Sequence, residues 1–200
     1  VYLSCDELIV KDQNGNPHPS MTGYPGLLSP FGIRNLRLQE CNWQVTYFDE
    51  RQAGYCAEET RILRSWQILN WCNPEEVVSF EQELIIGDFE GPTFAVELPE
   101  PRFQGVGQDT FVVSIGPFDC STTFPIPAPV NIEDNCSDDI DKKAILLKPE
   151  GDTVALKEII GAEIYFESIE LGEYRLRYQV SDACQNTTEK ELVLFVEDLI

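Results

Sequence analysis

Apolar and polar residues alternate along Arg61-Ile-Leu-Arg-Ser-Trp66-Gln-Ile-Leu-Asn-Trp-Cys72, with Ile62, Trp66 and Ile68 on one parity. A period of two predicts a half-buried β-strand, not a helix. The pattern returns in Tyr174-Arg-Leu-Arg-Tyr178-Gln-Val-Ser-Asp-Ala-Cys184. Aligned on the two cysteines, Ile62, Trp66 and Ile68 fall on Tyr174, Tyr178 and Val180. A polar turn follows each copy, Asn73-Pro74-Glu75 or Gln185-Asn186-Thr187. A second alternating strand comes next, Phe80 to Ile86 or Leu192 to Val196, and each stops at an aspartate, Asp88 or Asp198. Two hairpins of one design predict two copies of one β-module.

The same reading places the other strands. Val1 to about Val10 reads as a first strand containing Cys5. Lys11 to Pro30 is rich in glycine and proline and reads as loop. Phe31 to Leu38 reads as a short strand, and Cys41 to Phe48 as a strand with aromatics at spacing two. Asp49 to Glu59 reads as loop. Gly87 to Pro92 is the expected linker, which divides the chain into modules 1–92 and 93–200. In the second module strands are expected at Thr110 to Ile115, Ala144 to Leu147, Val154 to Ile159 and Ile164 to Ile169, with a turn at Gly161. Three prolines between Thr123 and Pro129 restrict that segment to an edge. The expected fold class is all-β, two tandem immunoglobulin-like antiparallel β-sandwiches.

Two hundred residues suit two such modules. Modules this small are marginal without staples, and seven cysteines read as those staples and point to an oxidising, extracellular setting. No run of 18 apolar residues predicts a membrane span, and no signal peptide opens the chain. Val1 starts directly in strand-like residues, so an interior piece or a processed form of something longer is expected. A net charge of −21, from 14 basic and 35 acidic side chains, repels nucleic acid and anionic membranes.

A set of cysteine-flanked motifs spans most of the chain. The first module carries Cys5, Pro19-Ser-Met-Thr22-Gly23-Tyr-Pro25, Cys41, Ile62-x-Arg64-x-Trp66, Cys72 and Asp88-Phe-Glu-Gly-Pro92. The second carries Cys120, Asp134-Asn-Cys136, Asp182-Ala-Cys184-Gln-Asn186 and Asp198. This pattern resembles the immunoglobulin-like repeats of very large secreted surface proteins of Bacteroidota. Those include gliding-motility adhesins exported by the type IX secretion system, related to hyaline repeat modules. Asn73 and Gln185 stand where that pattern has glycine, and the second module lacks a counterpart of Cys56. By position Cys41 corresponds to Cys136 and Cys72 to Cys184. The expected bonds are Cys41 with Cys72, Cys136 with Cys184, and Cys5 with Cys56, which leaves Cys120 without a partner, to be read as a buried thiol before an intermolecular link.

Candidate chemistry is sparse. His18 is the single histidine, lies between two prolines, and has no nucleophile elbow near it. No phosphate loop or dinucleotide fingerprint occurs. No enzyme activity, catalytic residue or obligatory cofactor is expected. Asp88, Glu90, Asp134, Asp138, Asp139 and Asp182 crowd loops and the linker; they read either as solvated acidic loops or as ligands of a stiffening calcium ion. Trp43, Tyr47, Trp66 and Tyr178 read as core or cross-strand pairs rather than a sugar platform. Parity puts Trp71 outside and Arg64 inside, the latter paired with a carboxylate. Asn135-Cys-Ser137 and Asn186-Thr-Thr188 are formal glycosylation sequons.

The resulting expectation is a structural and adhesive segment of a secreted bacterial surface or filament protein, a rigid spacer and contact surface at the cell exterior. Its partners would be neighbouring copies, other surface proteins or glycans, with no nucleic acid and no membrane insertion. A calcium-dependent carbohydrate-binding module of an exported enzyme is the alternative.

Overall fold

A computed structural model of the chain describes residues 1–40, 42–97, 110–116, 120–160 and 163–198. Cys41 and the turn expected at Gly161 lie outside them. The chain divides into two compact units, Val1–Phe89 and Glu90–Ile200. Strands dominate both, and the one helix among the described residues has four residues. The all-β class therefore holds. No helix among the described residues is long and apolar enough to cross a membrane.

The first unit runs β1 (Tyr2–Ser4), α1 (Pro19–Thr22), β2 (Gly26–Ser29), β3 (Gly32–Asn35), β4 (Gln39–Glu40), β5 (Trp43–Ala53), β6 (Thr60–Asn70) and β7 (Asn73–Gly87). Its main sheet has the order β1-β7-β6-β5-β4, and β2 and β3 form a separate hairpin. The alternation read in the sequence is the alternation of burial: Ile62, Arg64, Trp66 and Ile68 all point inward from β6. Trp66 sits opposite Tyr47 on β5 and Phe80 on β7. Ring centroids at 5.2 and 6.3 Å make the three an aromatic row across the sheet. Leu36, Val45, Trp66 and Ile68 are its buried core cluster.

The second unit runs β8 (Thr93–Ala95), β9 (Thr110–Ser114), β10 (Ser121–Thr122), β11 (Ile126–Pro127), β12 (Val130–Glu133), β13 (Asp141–Leu147), β14 (Thr153–Val154), β15 (Leu156–Ile160), β16 (Glu163–Phe166), β17 (Ile169–Glu170), β18 (Gly172–Ser181) and β19 (Thr187–Glu197). Its main sheet has the order β14-β13-β18-β19-β9, accompanied by β11-β16-β15 and the pairs β10-β17 and β12-β8. The proline-bearing β11 is an edge strand, as its missing N–H requires. The buried core includes Phe111, Phe124, Ile126, Leu146, Phe166, Leu176, Tyr178 and Leu194.

Several expectations need correction. The sandwiches are not wholly antiparallel: β1 runs parallel to β7, and β9 parallel to β19. Alternation reports that a strand is half-buried but not its direction, and a parallel neighbour needs a long connection, here most of each unit. The turn of the first hairpin is Trp71-Cys72, because Asn70 pairs with Asn73; the ladder shifts there, and Pro74 falls within the irregularity. β5 runs on to Ala53 through residues expected to be loop. The long first strand shrinks to β1, with Cys5 beyond its end.

The cysteines divide differently from expectation. Cys72 is free and exposed; it occupies the hairpin's tip, and its N–H donates to the Asn70 side chain at 3.0 Å, while Cys41, its expected partner, lies outside the described residues. Cys120 is free as expected, but exposed rather than buried. Cys5, Cys56, Cys136 and Cys184 are all disulfide-bonded.

Candidate functional site

Arg64 organises the first unit. Alternation forces it inward from β6, and its side chain has no exposed surface. Asp49 on β5 is its direct cross-strand neighbour. Nε and Nη2 donate to the two Asp49 carboxylate oxygens at 2.7 and 2.8 Å, a bidentate pair. Nη1 donates to the Thr22 hydroxyl at 2.8 Å, and Nη2 also to the Pro17 carbonyl. The guanidinium lies over the Tyr47 ring, 4.4 Å from its centroid. Gln82 on β7 donates to the Thr22 carbonyl at 2.7 Å and accepts from the Trp66 indole at 3.0 Å. Arg51 holds Asn16 and Gly15. These contacts tie the glycine- and proline-rich segment to the sheet, and His18 caps α1 by accepting from the Ser20 N–H. The histidine's role here is therefore a local one.

Asp12 and Tyr47 close this arrangement. Asp12 accepts from the Asn14 and Asn16 N–H groups and from the Tyr47 hydroxyl, each at 2.9 Å. Burial works to raise the Asp12 carboxyl, but those hydrogen bonds, the Asn16 N–H foremost, outweigh it and hold it below its ordinary value. Burial first, and the bond to Asp12 second, push Tyr47 up to about 12. A lowered carboxyl contributes stability that is present above its unfolded pKa of about 3.9 and lost as pH falls through the folded value. A raised phenol contributes stability that is present below about 10 and lost as pH rises through about 12. Urea midpoints of Asp12→Asn and the parent should therefore differ most between those limits and converge in acid. A pH-independent difference would exclude this linkage.

The clamp carries the β2–β3 hairpin outward. Leu36 is anchored in the core, with its N–H donating to the Pro25 carbonyl at 2.7 Å. Beyond that anchor Leu28, Phe31 and Ile33 are exposed. Ser29 pairs with Gly32, so Pro30 and Phe31 form the tip. Gly32 takes a φ of 117°, a backbone that side chains rarely adopt. On the other side of the unit's sheet order, β7 is joined by β1 only at Ile85, Ile86 and Gly87. Residues Asn73 to Glu81 are all exposed. Sequence reading missed both surfaces, although it placed Trp71 outside, where it is.

The acidic residues separate into two groups. In the second unit Asp134 and Asp182 bring carboxylate oxygens within 4.8 Å of each other. Asp182 is buried and accepts from the Asn186 N–H and side-chain amide at 2.9 and 2.7 Å. Asp134 accepts from the Cys136 and Ser137 N–H groups through Oδ1, while its buried Oδ2 has no hydrogen-bond partner. Asp88 is buried in the first unit. Glu90, Asp138 and Asp139 are exposed. Of the two sequons, that of Asn186 has its amide committed to Asp182, whereas Asn135 is exposed.

No protein-family model matches the chain, and no curated protein sequence matches it. Solved structures similar to it are cadherin extracellular domains. The protocadherin gamma B4 extracellular domain is 11% identical over 98% of this chain and 31% of its own, with a TM-score of 0.33. Protocadherin gamma B2 extracellular cadherin domains 1–5 are 11% identical over 99% of this chain and 38% of their own, with a TM-score of 0.35. The human desmocollin-1 ectodomain is 10% identical over 71% of this chain and 28% of its own, with a TM-score of 0.30. The chain thus spans well under half the length of each. Superpositions this loose add no weight to the all-β assignment, which rests on the strands themselves.

Proposed function

We propose that the chain is a structural and adhesive segment of a large secreted surface or filament protein of the Bacteroidota kind, serving as spacer and contact surface. The observation that carries this reading is a shared plan. In the first unit β5, β6, β7 and β1 are successive neighbours; in the second β13, β18, β19 and β9 are, with the same directions. Trp66 and Tyr178 are equivalent buried aromatics in the two. Repetition of one β-module is how long extracellular spacers are made, and four disulfide-bonded cysteines suit an oxidising exterior. Antibodies against this segment should label intact cells of the source organism, and the full-length parent should contain further copies of the hairpin motif. Labelling only after lysis, or a parent with no other copy, would overturn the proposal.

Calcium belongs to the same reading. Asp134 and Asp182 are two close carboxylates, and the buried Oδ2 of Asp134 has no hydrogen-bond partner, a donor set suited to a hard cation. Calcium at about 1 mM, in the range that extracellular modules bind, is expected to raise the melting temperature of the second unit, and Asp134→Asn to abolish that gain. Absence of both a binding heat and a thermal shift would remove calcium from the picture.

A further inference from the structure

Residues directly opposite each other on paired strands share a face of the sheet. Along β13, Lys142, Ala144 and Leu146 stand opposite Val180, Tyr178 and Leu176 of β18, all three fully buried. Lys142 therefore starts from the core face of its sheet, yet it is exposed. In the opposing sheet, Leu156 and Ile159 of β15 stand opposite Phe166 and Ile164 of β16, both buried. A bulge between Leu156 and Glu158 sets that register, so two residues three apart face the same way. They too hold core-face positions, but 49 and 59% of their surface stays open.

The reason is a gap at one side of this unit. β14 covers the outer side of β13 only at Leu146 and Leu147, and β15 is the last strand of its own sheet. From Asp141 to Ile145 no strand lies on that side of β13 among the described residues. The cavity left there has a volume of about 390 Å³, a size that suits a small ligand. Protein interiors are otherwise packed without such voids. Ala144, Ile145, Leu156, Ile159 and Ile164 give it an apolar wall. Lys142 and Lys143 are the only charged side chains among the described residues that line it. Lys143 is paired with Asp141 at 3.1 Å. Lys142 has no ion-pair or hydrogen-bond partner among the described residues.

We propose that this cavity binds a free straight-chain fatty carboxylate, its acyl chain against Leu156, Ile159 and Ile164 and its head group on the Lys142 ammonium. The apolar wall disfavours a polar ligand such as a sugar, whose hydroxyls would lose water without gaining partners. The unpaired ammonium selects an anionic head group over a neutral one. A concave site takes a single chain rather than a bilayer, and a net charge of −21 repels anionic membranes. An inward-pointing lysine on an edge strand also guards that edge against other strands. Guarding needs no ligand, so a binding measurement separates the two roles. The site is independent of the adhesive reading.

The test is calorimetric titration of the whole chain with octanoate, decanoate and dodecanoate, each below its micellar concentration. A single equivalent should bind, about fourfold more tightly per added methylene until the cavity is full. Decanol should bind at least tenfold more weakly than decanoate. Lys142→Met keeps an apolar stem at an exposed position; it should weaken decanoate at least tenfold and leave decanol unchanged. Ile159→Asp should weaken both, with unchanged circular dichroism as the check on folding; if it does not fold, the Lys142→Met comparison decides alone. Decanoate should slow hydrogen exchange at the β13 and β15 amides. Absence of saturable binding, affinity indifferent to chain length or to Lys142, or protection confined to the first unit would each overturn the proposal. So would co-sedimentation with phosphatidylglycerol vesicles by a chain that binds no decanoate, which would put a bilayer in the ligand's place. A Lys142→Met chain that self-associates yet binds decanoate as the parent does would reduce Lys142 to an edge guard and overturn it too. None of these results touches the cell-surface reading, which stands or falls by antibody labelling and by the repeats of the parent protein.

Discussion

Asp49→Ala is expected to cost the first unit about 3–5 kcal/mol, because it strips a fully buried arginine of its one carboxylate partner among the described residues. The Arg64 charge would remain where alternation has placed it, between Trp66 and Tyr47, with only a hydroxyl and a carbonyl to receive its donors. Asp49→Asn should cost less, since an amide oxygen can still accept one of the two hydrogen bonds. All three tryptophans, Trp43, Trp66 and Trp71, lie in this unit, so denaturant unfolding followed by tryptophan fluorescence reports on it directly. Protease sensitivity near Asn14 and Gly15 should rise in parallel, because the clamp also holds the segment that carries α1. A midpoint equivalent to less than about 1 kcal/mol of destabilisation would mean that the pair is not the anchor described here.

The clamp also shows why part of this molecule was legible and part was not. Ile62, Trp66, Ile68 and their counterparts Tyr174, Tyr178 and Val180 were readable because each second residue faces a core, so burial writes its period into the chain. The inward position of Arg64 and the outward position of Trp71 followed from the same parity. No such period marks the last four residues of β5, Glu50 to Ala53, which alternate little in exposure, or Asn73 to Glu81 of β7, where no side chain is buried. Their hydrogen-bond ladder extends beyond the core, and a ladder without a core leaves no hydropathy signature. The β2–β3 hairpin was hidden differently. Its prolines and glycines read locally as loop, and its position depends on Arg64, Thr22, Gln82 and Leu36, residues distant in sequence. The cysteines resisted for a related reason, since positional correspondence between repeats cannot say which sulfur lies near which. Of the acidic residues proposed as ligands, Asp134 and Asp182 meet within the second unit because the turns after β12 and β18 bring them together; Asp138 and Asp139 point to solvent.

Tyr178→Ala is expected to destabilise the second unit by about 3–5 kcal/mol, the range for emptying a large buried side chain. Tyr178 occupies the position equivalent to Trp66, is fully buried, and touches no solvent along β18. Its hydroxyl donates to the Pro127 carbonyl at 2.6 Å, and burial drives its pKa well above the ordinary phenol value. Pro127 lies on edge strand β11, so this bond ties the main sheet to the opposing β11-β16-β15 sheet. Tyr178→Phe separates the two contributions. It keeps the ring and removes only the donor, leaving the carbonyl with a loss of about 1–3 kcal/mol. Hydrogen exchange at the β18 and β19 amides measures both variants without requiring a tryptophan, which this unit lacks. Alanine should release those amides far more than phenylalanine, whereas phenylalanine should act chiefly through β11 and β16, where the lost bond was made. Equal effects of the two substitutions would place the whole contribution of Tyr178 in the hydroxyl and contradict the packing described for this core.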